Sequence, residues 1–384
     1  MEFLIIRPGI GNQWLTHLIT NIVLITFVKN TSLASSLDNL RCNFMKIRLL
    51  LLISTLIAPI SLSFAQTADD YVVPRTEWGQ PDLQGVWNFN SSTPMQRPKR
   101  FGTQEFLTQE EVEADRLSQA ESRVKADAAE AVLVLNPEAP EAGAASPGGY
   151  NNFWYERASI GDNVRTSLIV YPLDGRLPAR VEGAAEHTAN LGPDVPGERP
   201  VLATFGGISK DGPEDRGLSE RCLIGFNSGP PFTGGGYNAN VQIFQNQDHA
   251  VIMTEMVHDA RIVPLHDRGA MDDDIRLWSG DSRGYWDDDT LVVVTKNFSH
   301  LTPSFSRYGN AIDKSLTERF TRVNPYTIEY EWTLEDPSTF TDKIIATMPM
   351  TKVAGTLYEY ACHEGNYGMM NILRGERMKE RRGD

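Results

Sequence analysis

Apolar and polar residues follow different rhythms along this chain. Residues 66–107 are extended and proline-rich, with one strand expected at 83–89. Thr108-Gln109-Glu110-Glu111 is a capping box: the Thr108 hydroxyl and the Glu111 carboxylate satisfy each other's backbone N–H groups and open a helix. Val112, Ala120, Val124 and Ala128 then recur at helical spacing among charges, predicting a one-sided surface helix to about Glu130. Residues 136–149, rich in Pro, Ala and Gly, read as a linker or mobile loop.

From Trp154 onward the period becomes two. Strands are expected at 167–171 and 177–181 around an Asp174-Gly175 turn, and at 241–245 and 250–263 across Asn246-Gln247-Asp248. Further strands fall at 276–279 and 285–286, then at 290–298 after an Asp287-Asp288-Asp289 turn. Residues 316–323 turn at Asn324-Pro325 into 327–334; 343–350 and 356–363 close the series before a frayed polar tail at 379–384. So many strands with short connections and almost no helix between them require antiparallel pairing, because parallel strands need long crossovers. The expected fold is mainly β, an antiparallel barrel or strongly curved sheet, with one surface helix near the N-terminus. Residues 66–150 and 151–384 are expected to form one globular unit.

The beginning of the chain has another texture. Met45-Lys46-Ile47-Arg48 is a short basic start, followed by an apolar run at 49–60 and by Ser63-Phe64-Ala65 with small residues at the −3 and −1 positions. This is the layout of a secretory signal peptide at 45–65, cleaved after Ala65, and the apolar run is too short to span a bilayer. Residues 1–44 then read as a mis-called upstream extension; the other reading is an N-terminal anchor built on the apolar stretch 18–28. The expected location is the periplasm or the exterior.

Composition narrows the partners. The formal net charge is −14, and the segment through Ala65 carries five basic and two acidic residues, so cleavage would leave −17. Such a surface repels phosphate backbones and anionic lipid heads, which argues against nucleic acid or a membrane as partner of the mature form and suits a neutral or cationic small molecule. Cys222 and Cys362 survive cleavage. An oxidising compartment allows them to pair; the alternative is two separately buried thiols.

Asp82-Leu83-Gln84-Gly85-Val86-Trp87 resembles the opening strand of lipocalin-like barrels, in which a Gly-x-Trp packs its indole across the closed end. A broader resemblance extends from Pro81 through Trp87 to Arg165-Thr166-Ser167-Leu168-Ile169-Val170 and His258-Asp259-Ala260-Arg261. It continues through Gly280-Asp281-Ser282-Arg283-Gly284 with Trp286, Glu318-Arg319-Phe320-Thr321-Arg322, and Tyr358-Glu359-Tyr360-Ala361-Cys362-His363-Glu364-Gly365-Asn366-Tyr367. These segments are similar to a large family of uncharacterised secreted proteins of environmental bacteria. The resemblance implies export and a single domain, and brings no reaction with it.

The chemistry rests on side chains. Gly280 to Gly284 spell G-x-S-x-G around Ser282, but a nucleophile elbow needs a helix after the serine, and here a hairpin follows; an Asp281–Arg283 ion pair fixing a loop is the plainer reading. His258, Asp259 and Arg261 on one strand, with His363 and Glu364 on another, are the candidate catalytic residues. Two imidazoles and a carboxylate serve a general acid–base pair, or less readily a three-ligand Zn²⁺ site. The ordinary alternative is an Asp259–Arg261 structural pair and a hydrogen-bonded His363. Trp278, Tyr285, Trp286, Phe232 and Tyr237, with Trp154 and Tyr155, are candidates to line a pocket, or to fill a barrel core. Phe232 and Tyr237 lie in the Pro/Gly-rich stretch 229–237, a flexible lid candidate. The expected function is an exported enzyme, without organic cofactor, performing acid–base chemistry on an uncharged aromatic or hydrophobic small molecule. The alternative is a lipocalin-like carrier.

Overall fold

Successive strands of this chain alternate inward apolar and outward polar side chains, so one face must be covered, and the chain achieves this by curling a single sheet. The computed structural model describes residues 71–135, 164–184 and 211–383, except 235, 237, 267, 268 and 270. The signal-like segment and all before it, the linker at 136–149, Trp154, Tyr155 and Tyr237 lie outside the described residues.

The strands are β1 (Gly85–Asn88), β2 (Ile169–Tyr171), β3 (Asn240–Gln245), β4 (His249–Thr254), β5 (Ala260–Pro264), β6 (Asp281–Asp287), β7 (Thr290–Lys296), β8 (Ser315–Asn324), β9 (Thr327–Glu335) and β10 (Ile344–Val353). Every ladder is antiparallel, in the order β5-β4-β3-β1-β10-β9-β8-β7-β6, with β2 pairing the far end of β10. An odd number of strands alternating in direction leaves the first and last, β5 and β6, running the same way. They meet without a ladder: a methyl placed on Gly284 would lie 2.8 Å from Val263 and 3.0 Å from Leu265. The sheet therefore curls almost on itself and stays unclosed by hydrogen bonds.

One end of the interior is stopped by Trp87. Its indole is fully buried, donates from Nε1 to the Leu83 carbonyl at 2.9 Å, and has the Arg322 guanidinium 5.6 Å from the ring centre. Gln245 ties the same end together, accepting from the Leu83 N–H at 2.7 Å and donating to the Pro81 carbonyl at 3.0 Å. Between the ends, Ile243, Ile252, Leu291, Phe320, Ile328 and Met350 from neighbouring strands fill the core.

The capping box forms as read: Glu111 accepts from the Thr108 N–H at 2.8 Å and donates its own N–H to the Thr108 hydroxyl at 3.2 Å. That contact holds the Glu111 carboxyl below its ordinary range. The helix it opens, α1, runs Gln109–Leu135, past the expected end. Val112 is buried while Val124 is 69% exposed, so among the described side chains the anchoring lies in the first turns. The stretch expected as one strand at 250–263 is a hairpin, β4 and β5, turning through Val257 and His258, both at positive φ.

The C-terminus departs from expectation. Residues 356–363 form no strand, and the supposed frayed tail belongs to a helix, α2 (Tyr367–Arg382). Asn366 caps it by accepting from the Met369 N–H at 3.3 Å, and Gly383 ends it at φ 73°. Gly365, Gly368 and Gly375 hide this helix from a reading by breakers. Among the described residues, no helix is long and apolar enough to cross a membrane.

Candidate functional site

The inward positions of β8 read Leu316, Glu318, Phe320, Arg322, so the strand carries a carboxylate into an otherwise apolar interior. A buried carboxylate persists only if paired. Glu318, with no exposed surface, accepts from both terminal nitrogens of Arg261 on β5, at 2.5 and 3.0 Å, and from the Tyr330 hydroxyl on β9 at 2.7 Å. Burial opposes the Arg261 charge, but Glu318 more than offsets it. Burial and the same carboxylate push the Tyr330 hydroxyl well above its usual range.

Phe232 belongs to this cluster. The stretch expected as a flexible lid carries it inward, where it is fully buried, stacks on Phe89 at 4.6 Å and donates its N–H to the Tyr330 oxygen at 3.1 Å. It acts as a plug in the barrel end. Lys314, just before β8, is buried too. Its ammonium donates to the Pro230 carbonyl at 3.3 Å and lies 4.4 Å from the centre of the Phe298 ring. Burial lowers its pKa to about 8, against the pull of Glu318 and Asp336.

Lys314 gives stability a definite pH dependence. The unfolded lysine keeps its proton to about pH 10.4, while the folded one releases it near 8. Between these values the unfolded chain binds more protons, so stability should rise with pH, by about 3 kcal/mol at most. Tyr330, raised in the fold, works the other way once unfolded tyrosine ionises near pH 10. Urea melts from pH 7 to 10 should show the rise in the native protein and lose it in Lys314→Met.

The sequence candidates are distributed as follows. Asp259 is half-buried and accepts from the Ser279 hydroxyl at 3.3 Å; burial raises its carboxyl, opposed by Arg261, Ser279 and, more weakly, His258. Asp259, Arg261 and Phe232 are thus brought to one barrel end with Glu318, Tyr330 and Lys314, which the sequence reading did not single out. Arg261 spends its terminal nitrogens on Glu318 and offers no free fork to an oxyanion. His258 and His363 are exposed, and neither imidazole makes a hydrogen bond among the described residues. Both flank the apolar cluster in which Met256 and Val257 pack against Cys222 and Cys362. Glu364 is exposed on the turn before α2, so the strand face it was to share does not exist. Among the described residues, no group of three His, Cys, Asp or Glu is arranged to hold a metal ion.

Cys222 and Cys362 form a disulfide, with Cα atoms 5.7 Å apart. Trp278 packs on Leu218 and Ile224, away from the main core, while Trp286 lies against that core and Tyr285 points outward at 51% exposure. Ser282 lies near the start of β6 within its ladder with β7, bonded to Thr295 at 2.9 Å, and the Asp281–Arg283 pair sits on the strand rather than on a loop.

A sizeable open cleft lies elsewhere. A cleft of about 840 Å³ runs over the outward face of β9, β10 and β1. Its floor carries Asn88, Asn240, Thr327, Thr347 and Thr351, with Glu329 and Glu331 alongside, and an equal share of the lining is apolar, from Phe106, Leu168, Val170, Val323, Met348 and Val353. One wall is residues 91–93 and 164–170, tied to the sheet where the Thr347 N–H donates to the Leu168 carbonyl at 3.0 Å. The floor is held in order: the Asn88 amide donates to Asn240 at 2.9 Å, and Asn240 to Glu255 at 2.8 Å. Arg165 in the wall is engaged by Glu105 at 2.5 Å and by the face of Phe106 at 4.6 Å. Compared with protein-family models, with curated proteins and with solved structures, the chain matches none.

Proposed function

We propose that this is an exported binding protein whose outer cleft holds an uncharged, hydroxyl-rich small molecule such as a short saccharide. One observation carries the reading: the 840 Å³ cleft has a floor of threonine hydroxyls and asparagine amides beside two carboxylates, with its arginine already paired. Groups that both donate and accept suit hydroxyls, which do the same. The strongly acidic chain disfavours anionic ligands. Export is supported by the signal-like segment ending at Ala65, by the disulfide and by the resemblance to secreted proteins. The ligand proposed is thus uncharged, with hydroxyls for the threonines and asparagines and an apolar face for Phe106, Leu168 and Val170.

Titration calorimetry with a panel of neutral disaccharides tests this. At least one should bind, and Glu331→Gln should weaken it about ten-fold, the scale of one lost charge-assisted hydrogen bond. Binding only of hydrophobic aromatics, or affinity untouched by Glu331→Gln and Thr347→Val, would refute it.

The acid–base enzyme remains a second reading, favoured by the raised Asp259 carboxyl near the exposed His258. It requires turnover that His258→Gln removes without moving the melting temperature.

A further inference from the structure

Four side chains of the cleft floor stand in one row across four neighbouring strands. Thr327 on β9 faces Thr351 on β10, Thr351 faces Asn88 on β1, and Asn88 faces Asn240 on β3. All four line the cleft. Neighbouring strands lie about 4.8 Å apart, so the row presents a hydroxyl or an amide at every step over about 14 Å. Each of these groups both donates and accepts. The amides are held in orientation: Asn88 donates to Asn240 at 2.9 Å, Asn240 donates to Glu255 at 2.8 Å, and the Asn90 N–H donates to the Asn88 oxygen at 3.0 Å. Along a strand the pattern is broken. The outward positions of β10 read Thr347, Pro349, Thr351, Val353, so apolar Pro349 and Val353 border the row on either side of Thr351.

We propose that the cleft takes a linear, neutral oligosaccharide lying across the strands, with one sugar ring per strand, rather than a lone disaccharide. The inference rests on the saccharide reading of the cleft and adds the length and direction of the ligand. A β-linked pyranose chain carries hydroxyls along its edges and C–H groups on its ring faces, and each ring is close to one strand spacing in length. Its hydroxyl edge meets Thr327, Thr351, Asn88 and Asn240 in turn, and its ring faces meet Pro349 and Val353. Four rings fill the row, and a fifth finds no further polar partner in it.

The test is titration calorimetry of the folded protein with linear β-1,4-linked glucose, mannose and xylose oligomers of two to six units. In at least one series affinity should climb about ten-fold from two units to four, the scale of one or two added hydrogen bonds, and then level off. Thr327→Val and Asn240→Ala remove the polar group at opposite ends of the row, and in each variant affinity should level off at three units instead of four. Binding of the two-unit sugar with no gain on lengthening, or a plateau that stays at four units in both variants, would overturn the proposal and leave the cleft a disaccharide site. Failure of every oligomer to bind would overturn the saccharide reading as well.

Discussion

Replacing Glu318 by Gln should destabilise the fold by about 3–5 kcal/mol, because Arg261 would then be buried without a counter-charge. The glutamine keeps the shape and still offers Tyr330 an acceptor, so the loss isolates the charge rather than the packing. Truncating both partners together, Arg261→Met with Glu318→Leu, should cost far less than the sum of the single changes, since no orphaned charge remains. Urea unfolding of the four proteins closes this cycle. Additive losses would mean that Arg261 and Glu318 do not act as a pair.

The disulfide should matter as much. Cys222 and Cys362 are separated by 140 residues, and loop-closure entropy over that length corresponds to about 5 kcal/mol. The double Cys→Ser variant should show that loss in urea melts, and native protein should match it only when reductant is present. The bridge also fixes the turn leading into α2, where Asn366 donates to the Glu220 carbonyl at 2.7 Å and to Cys222 Sγ at 3.4 Å. Protease cutting should therefore begin near residues 355–366 in the variant. The cleft, built on β1, β9 and β10, should keep its ligand affinity.

The alternating pattern made most of the sheet legible, although 177–181 and 276–279, expected as strands, form only the single bridges Arg180 to Phe340 and Leu277 to Phe298. The turns at 246–248 and 287–289, the Asn324-Pro325 corner and the Thr108 capping box all carry local chemistry that no distant contact needs to complete. The end of the chain was not legible, because alternation in Tyr358-Glu359-Tyr360-Ala361 imitates a strand while the disulfide and the Asn366 cap impose a turn and a helix. The ionic cluster was legible in half. Asp259 and Arg261 stood out as charges in a strand, and Glu318 at an inward register position carried the same signal. Phe232 stood out as an aromatic in a Pro/Gly-rich stretch, but Lys314 gave no signal, since only the tertiary fold brings Pro230 and Phe298 to it. The cleft was hidden for a different reason. Its residues are outward polar positions of ordinary strands, and only the wall at 164–170 turns that face into a cavity.

The location of the ligand site is the central claim, and methyl NMR of the mature protein during titration with a neutral disaccharide tests it directly. The threonine methyls of Thr327, Thr347 and Thr351 on the cleft floor should shift in step with saturation, while Thr295 in the interior and the Met256 methyl beside the disulfide stay in place. Shifts confined to Thr295 and Met256, with the three floor threonines unmoved, would contradict the account.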